Sequence, residues 1–122
     1  MTLAVLEGAT FALKDCLEAA RRNGIEIKKT KLCGGGEKNH LWRKIVTNVM
    51  NMPVDIPQTE QGPAYGVAML AMVGRGEYIS VKDVAKAIVK VQESILPDKN
   101  IAVLYDKKYK VFQEMYPALK NI

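Results

Sequence analysis

Hydrophobic side chains recur at helical spacing from the start of the chain to Ala20. The positions concerned are Leu3, Leu6, Ala9, Leu13, Cys16 and Leu17. Steps of three and four residues place them on one face, so the pattern predicts a long amphipathic helix that Asn23 and Gly24 end. Because only Met1 and Thr2 precede this pattern, we expect no leading strand and an N-terminus that lies inside a larger protein.

The next segment changes to a pattern typical of a strand and then meets three glycines. Ile25, Ile27 and residues 30–33 predict a strand that leads into the glycines at 34–36. Helical spacing resumes over residues 39–50. Its inward positions are Trp42, Ile45, Val46 and Val49. The first 50 residues are therefore predicted as helix, strand, glycine turn and helix.

A second strand is predicted directly after this helix. Asn51 is, after glycine, the residue best suited to the left-handed conformation in which many helices end. Residues 53–56 then form a short strand, and a crossover helix between two strands favours a parallel pair. Since two strands leave sheet edges unpaired, we expect the isolated chain to self-associate at high concentration, with a homodimer as one form.

Helical signals also fill the second half of the chain. Gly62 and Pro63 begin a helix rich in small residues, and Ser80 with Asp83 resembles a capping box that opens another. The residues up to Pro97 are predicted to be irregular. The last helix has four aromatic residues on one face and is expected to end at a proline: Tyr105, Tyr109, Phe112, Tyr116 and then Pro117. We interpret the aromatic face as core packing.

Composition and charge narrow the class of protein. The 122 residues carry a formal net charge of +5, from 18 Lys and Arg against 13 Asp and Glu. The lysines are dispersed along the chain, which indicates solvated surfaces and argues against a nucleic-acid-binding stripe. The longest apolar stretch, residues 64–73, is too short to cross a bilayer, and no signal-peptide pattern follows Met1. We therefore expect a cytoplasmic protein of one domain that binds neither nucleic acid nor membrane.

Four kinds of side chain that could bind a metal or take part in a reaction are interpreted as structural. Cys16, Cys33 and His40 lack the spacing of a metal site or a disulfide framework, so both cysteines are expected to be reduced and buried. We expect His40 to face solvent and Trp42 to pack inward. Glu7 lies in an apolar helical face, where a carboxylate needs a partner, and we expect it to accept a hydrogen bond from a backbone N–H of the glycine turn.

The three glycines are the strongest candidate for a functional site. Glycine is needed where the backbone takes positive φ or approaches a ligand too closely for a Cβ. A helix that follows such a turn offers free N–H groups and a positive dipole end, which suit an anion. The spacing matches neither the P-loop nor the dinucleotide fingerprint. The residues alone therefore leave two interpretations open, a phosphate- or nucleotide-binding turn and a purely structural turn.

Short motifs occur in the order found in one known family. They are residues 6–8 (Leu-Glu-Gly), 11–13 (Phe-Ala-Leu), 34–43 (three glycines through Leu-Trp-Arg), 62–66 (Gly-Pro-Ala-Tyr-Gly) and 116–119 (Tyr-Pro-Ala-Leu). In these motifs the chain resembles the C-terminal part of the FGGY carbohydrate kinases. The resemblance implies an α/β fragment of the actin-like ATPase (ribonuclease H-like) fold, with two parallel strands flanked by helices. Residues 1–122 would then form the nucleotide-binding side of an incomplete domain.

The resemblance also implies a nucleotide site. In the family, the matching glycines and asparagine line the adenine and phosphate end of the ATP site. It assigns nucleotide binding to Gly34, Gly35, Gly36 and Asn39, with ATP and Mg²⁺ as cofactors. An asparagine side chain can donate to and accept from the edge of adenine, and glycine amides can meet phosphate or ribose. Glu37 replaces a small family residue, and we expect its carboxylate to point away from the phosphates.

The rest of the reaction is expected outside this chain. Phosphoryl transfer to a sugar needs a carboxylate base, a magnesium-phosphate clamp and a sugar pocket. The family's base lies in an upstream Gly-Asp motif, which has no match among Asp15, Asp55, Asp83, Asp98 and Asp106.

The resemblance thus implies that the full-length protein transfers the γ-phosphate of ATP to D-xylulose, with the sugar bound mainly by a missing N-terminal part. We expect this chain alone to be inactive. Three alternatives remain: a kinase for another sugar or polyol (glycerol, gluconate or ribulose), a non-catalytic nucleotide-binding module, and a basic nucleic-acid-binding domain.

Overall fold

The computed structural model describes residues 1–58, 62–120 and 122, apart from the side chain of Glu37. In these residues the chain forms five α-helices, one 3-10 helix and three strands. The helices are α1 (Thr2–Arg22), α2 (His40–Met50), α3 (Pro63–Gly74), α4 (Val81–Ile88) and α5 (Lys99–Leu119), and the 3-10 helix spans Gly35–Lys38. The strands are β1 (Thr30–Lys31), β2 (Val54–Pro57) and β3 (Val91–Ile95).

The three strands form one mixed sheet in the order β1-β2-β3. β1 pairs with β2 in parallel, with Thr30 opposite Val54, as the crossover through α2 predicts. β3 pairs with β2 antiparallel, with Ile95 opposite Val54. The prediction of an irregular segment before Pro97 was therefore wrong. Most side chains of β3 are exposed, so the sequence lacks the alternation that marks a half-buried strand.

α2 packs against the sheet on one side and contributes two buried side chains to the core there. Its Val46 and Met50 lie against Val54 and Ile56 of β2 and against Leu17 of α1. All of these side chains are buried. Fully burying each such side chain contributes on the order of 2 kcal/mol, so this cluster fixes α2 on β2.

The other side of α2 packs against the two longest helices. Ile45 and Val49 lie in a cluster with Phe11 of α1 and Tyr109 of α5. Tyr105 and Phe112 pack against the same cluster, which confirms that the aromatic face of α5 is core packing. Tyr116 is the exception, because its side chain is 77% exposed.

Local signals at the helix ends are confirmed with one exception. Asn51 adopts the left-handed conformation at φ 50, and Pro63 is the first residue of α3. The N–H of Asp83 donates to the Ser80 hydroxyl at 3.2 Å, so Ser80 caps α4. Pro117, however, lies inside α5, which continues for two residues. Pro117 lacks the N–H that would donate to the carbonyl four residues earlier, and its ring crowds that carbonyl, yet two more helical residues follow it.

Both cysteines are free and exposed, not buried as predicted. The buried side chains of α1 are Thr10, Phe11, Lys14 and Leu17. This face is rotated from the one expected from the hydrophobic pattern, because Lys14 turns inward to an ion pair with Asp106 of α5. Cys16 is left on the solvent side. His40 is exposed, as predicted.

Among the described residues, no helix is both long enough and apolar enough to cross a membrane. The same ranges contain no group of three or more histidine, cysteine, aspartate or glutamate side chains that could hold a metal ion.

Asp55 is a buried carboxylate in the central strand, and it is bound from both neighbouring segments. Its side chain is 3% exposed and lies 2.6 Å from Nζ of Lys29, which precedes β1. The hydroxyl of Ser94 in β3 donates to its Oδ1. The Asp55 backbone oxygen accepts from the N–H of Leu32 at 3.0 Å. Asp55 therefore ties both edge strands to the centre of the sheet.

The charge state of Asp55 follows from these partners. Burial alone would raise the pKa of the carboxyl, but the hydrogen bonds from Lys29 and Ser94 and the charges of Lys29 and Lys31 outweigh it and hold the pKa below its ordinary value of 3.8. Because the folded-state pKa is lower than the unfolded one, the ionised carboxylate stabilises the fold above the unfolded pKa. That contribution is lost as the pH falls through the folded-state pKa.

We predict that Asp55→Asn destabilises the chain at pH 7 and that the difference from wild type narrows as the pH falls below about 3.8. Urea unfolding of both proteins across this range measures the two free energies. The matched control is Glu26→Gln, because Glu26 forms an ion pair with Lys28 in which both side chains are more than three-quarters exposed, and such pairs contribute little. A difference in the free energy of unfolding between Asp55→Asn and wild type that stays constant down to pH 2 would contradict the stabilising role of the ionised carboxylate.

α3 exposes an apolar surface. It packs mainly against α4, and none of its residues is buried. Val67 and Leu70 are 65% and 58% exposed. Together with the edge strands β1 and β3, this surface offers places where a second chain can bind.

We therefore expect the chain to self-associate, and sedimentation at rising concentration measures it. Leu70→Glu removes apolar contact area and adds a charge, so it should lower the associated fraction at a given concentration. Ala12→Glu at an exposed position of α1 adds the same charge elsewhere and should have less effect. A wild-type chain that stays monomeric at high concentration would contradict the expectation.

Candidate nucleotide site at the glycine turn

The glycine turn lies at the carboxyl end of β1. Because β1 and β2 are parallel, their carboxyl ends share one edge of the sheet, which is the edge where open α/β sheets bind ligands. Gly34 and Gly35 are exposed there. Residues 59–61, which come shortly after β2 in the sequence, lie outside the described residues.

The structure gives the three glycines three different environments. Gly34 has φ 95, a conformation that side chains rarely adopt. Among the described residues, a Cβ added to Gly35 would have no heavy atom beyond its own turn within 4 Å, so these residues give no steric reason for glycine there. A Cβ on Gly36 would overlap the ring of Trp42. The backbone conformation therefore favours glycine at position 34, and the contact with the indole requires glycine at position 36. Gly35 borders open space.

Asn39 is the N-cap of α2. Its Oδ1 accepts hydrogen bonds from the N–H groups of Leu41 at 3.0 Å and Trp42 at 3.2 Å. The predicted helix follows the turn, with a 3-10 helix between the glycines and α2. The expectation that its first N–H groups are free is corrected for Leu41 and Trp42, because Asn39 occupies both. The Asn39 oxygen therefore has a structural role, and its NH₂ group remains the part suited to a ligand.

Trp42 joins the turn to α1. It is half-buried, as the inward spacing predicts, and packs beside both core clusters. Its Nε1–H donates to Oγ1 of Thr10 at 2.9 Å. Thr10 has no predicted role, because a threonine among apolar helical residues does not indicate a partner 32 positions away.

Glu7 does not bind the glycine turn, which corrects the prediction made for it. Its carboxylate lies 3.0 Å from Nζ of Lys108 and accepts a hydrogen bond from the Tyr105 hydroxyl at 3.1 Å. Burial, that hydrogen bond and the charge of Glu7 raise the pKa of Tyr105 to about 12. The prediction that Glu7 needs a partner was sound, but α5 supplies that partner by packing along α1.

The aspartates near the core have structural partners. Asp15 accepts a hydrogen bond from the Tyr109 hydroxyl, and Asp106 lies 2.6 Å from Nζ of Lys14. Burial and the bond to Asp15 raise the pKa of Tyr109.

The side chain of Glu37 lies outside the described residues, so its predicted outward orientation stays a prediction. The four predicted site residues thus lie together in one turn, which offers backbone and amide donors.

A comparison with protein families matches residues 1–75 to the C-terminal domain of the FGGY family of carbohydrate kinases. The chain belongs to this family. The predicted α/β fold, part of the actin-like ATPase fold, is thereby confirmed.

Individual relatives agree with this assignment. Xylulose kinase from Staphylococcus epidermidis is 31% identical over 98% of this chain and 24% of that protein. Ribulokinase from Halalkalibacterium halodurans is 30% identical over 93% of this chain and 21% of that protein. The solved structure of xylulose kinase from Rhodospirillum rubrum matches with a TM-score of 0.83 and 29% identity, over 97% of this chain and 24% of that one. The chain therefore spans about a quarter of the length of these relatives.

The different environments of Gly35 and Gly36 predict different results for the same substitution. Gly36→Ala should destabilise the fold by about 2 kcal/mol, because the new methyl group displaces the Trp42 ring. Gly35→Ala should leave stability unchanged or raise it by less than about 1 kcal/mol. Urea unfolding measures both. Equal costs for the two variants would show that the indole contact does not distinguish these positions.

Proposed function

We propose that this chain forms the nucleotide-binding end of an ATP-dependent sugar kinase that phosphorylates D-xylulose in the cytoplasm. The observation that carries the proposal is the turn after β1. Gly34 takes a positive φ, and Gly35 borders space that is open among the described residues. In a member of a carbohydrate kinase family, such a turn suits the nucleotide, because its backbone can approach phosphate or ribose without obstruction.

The donors present fit an adenine nucleotide. Backbone N–H groups of the turn can donate to ribose or phosphate oxygens, and the Asn39 NH₂ group can donate to a ring nitrogen of adenine. ATP supplies the phosphoryl group that is transferred. The residues of this chain bind and orient the nucleotide at one end.

Magnesium and the catalytic base are proposed to involve residues outside this chain. Mg²⁺ is bound by oxygen ligands, usually one or two carboxylates together with substrate phosphates. The described residues contain no group of three or more histidine, cysteine, aspartate or glutamate side chains that could hold a metal ion. We propose that the phosphates and groups elsewhere in the protein hold the magnesium. With no base assigned here either, we propose that the chain alone is inactive.

The choice of D-xylulose is supported by the names of relatives, which include xylulose kinases from Staphylococcus epidermidis and Rhodospirillum rubrum. The ribulokinase similarity, at 30% identity, favours ribulose as the second candidate. These relatives share the region matched by this chain, and the chain covers only about a quarter of each. Substrate selection would therefore depend on the remaining three-quarters.

We predict that Mg-ADP shifts the backbone amide NMR signals of Gly34, Gly35, Gly36 and Asn39 in the labelled chain. Asn39→Ser should weaken this binding about fivefold to tenfold, the effect of losing one hydrogen bond. Serine is also a good N-cap, so the variant removes the NH₂ group and keeps the start of α2. The signals of Leu41 and Trp42, whose N–H groups are capped by Asn39, report whether the cap is retained.

Two further variants serve as controls. Asn39→Ala removes both the amide and the cap, so it should weaken binding and also disturb Leu41 and Trp42. Gly35→Ala should fold normally yet weaken binding, because its methyl group fills the open space. Wild-type signals that do not move at millimolar Mg-ADP, or an Asn39→Ser variant that binds as tightly as wild type, would count against the proposal.

A further inference from the structure

Trp42 contacts Gly36 within the 3-10 helix and Asn39, the residue that follows this helix. Its ring covers Gly36 so closely that a Cβ there would overlap the indole. Its backbone N–H donates to Oδ1 of Asn39 at 3.2 Å. Two of the four predicted nucleotide-binding residues therefore lie against the side chain or the backbone of Trp42.

The indole is in turn held by one buried hydroxyl. Thr10 of α1 is 0% exposed, and its Oγ1 accepts the Nε1–H of Trp42 at 2.9 Å. The same hydroxyl donates to the backbone oxygen of Leu6 at 2.7 Å. Since the hydroxyl proton is used by Leu6, the oxygen faces the indole as an acceptor. A tryptophan N–H in the core needs such a partner, because leaving it unpaired is costly.

We propose that Thr10 is a positioning residue for the nucleotide turn. Its hydroxyl sets the plane of the Trp42 indole, and the indole sets the position of Gly36 and, through the backbone of Trp42, of Asn39. Thr10 itself touches neither the turn nor a nucleotide in this arrangement. The expected effect of Thr10 on nucleotide binding rests on the proposed function. The link from Thr10 to the turn can be measured without nucleotide.

A second threonine provides a matched control. Thr47 of α2 is 1% exposed, and its Oγ1 donates to the backbone oxygen of Arg43, four residues earlier, at 2.7 Å. Thr10 makes the same bond to Leu6, and it differs by also accepting the indole. Thr10→Val and Thr47→Val therefore remove the same local hydrogen bond from a buried helix position, and only Thr10→Val orphans the Trp42 N–H.

The test compares wild type, Thr10→Val, Thr10→Ser and Thr47→Val, each as the whole 122-residue chain. Trp42 is the only tryptophan, so its indole N–H gives a single NMR signal. In Thr10→Val we expect this proton to exchange with water at least tenfold faster and the amide signals of Gly36 and Asn39 to shift. Thr47→Val should leave all three near their wild-type values. Thr10→Ser keeps the hydroxyl and should restore them.

Nucleotide binding gives the second readout. Thr10→Val should raise the dissociation constant for Mg-ADP about fivefold or more, and Thr47→Val should change it less than twofold even if it costs the same stability. The inference is overturned if Thr10→Val leaves the signals of Gly36 and Asn39 in place, or if both valine variants shift them equally. A wild-type chain that does not respond to Mg-ADP would instead refute the proposed function, and the comparison without nucleotide would still decide the role of Thr10.

Discussion

The burial of α2 is the constraint on which the rest of the structure depends. Six consecutive residues, 45–50, are buried, so the helix has no solvent face over its last two turns. Val46 and Met50 face the sheet cluster, and Ile45 and Val49 face the α1 and α5 cluster. A helix enclosed in this way fixes where its two ends lie. Its start places the glycine turn, and its end at Asn51 places β2.

Sequence patterns predicted the elements whose signals are local. Helical spacing predicted α1, α2 and α5. The residue types at Asn51, Pro63 and Ser80 predicted the left-handed helix end, the helix start and the helix cap that the structure shows, because such features are decided within a few residues. β3 was missed because an exposed edge strand has little apolar alternation. The partners of Glu7 and Lys14 were missed for a different reason, since both are set by α5 packing along α1, about 90 positions away in sequence.

The sequence predicted where the candidate site lies, but not which contacts hold its residues in place. Three glycines after a strand identify a turn where the backbone needs freedom, and Gly34 does take a positive φ. The sequence could not reveal that Gly36 is glycine because of the Trp42 ring, or that the oxygen of Asn39 caps α2. Such assignments depend on side-chain directions that only the folded chain defines. Thr10 had no local signal at all, although its hydroxyl is the contact that links the turn to α1.

The same groups therefore serve the fold and the candidate site. The Asn39 oxygen caps α2 while its NH₂ group is the part proposed to bind the nucleotide, and Trp42 packs beside both core clusters while its ring covers Gly36. Groups that are fixed by packing hold a binding site in place without a separate ordering cost when the ligand arrives. The consequence is that the turn cannot be adjusted independently of α1 and α2. A substitution that repacks this part of the core, even one that leaves all four predicted site residues unchanged, is expected to alter the geometry of the candidate site.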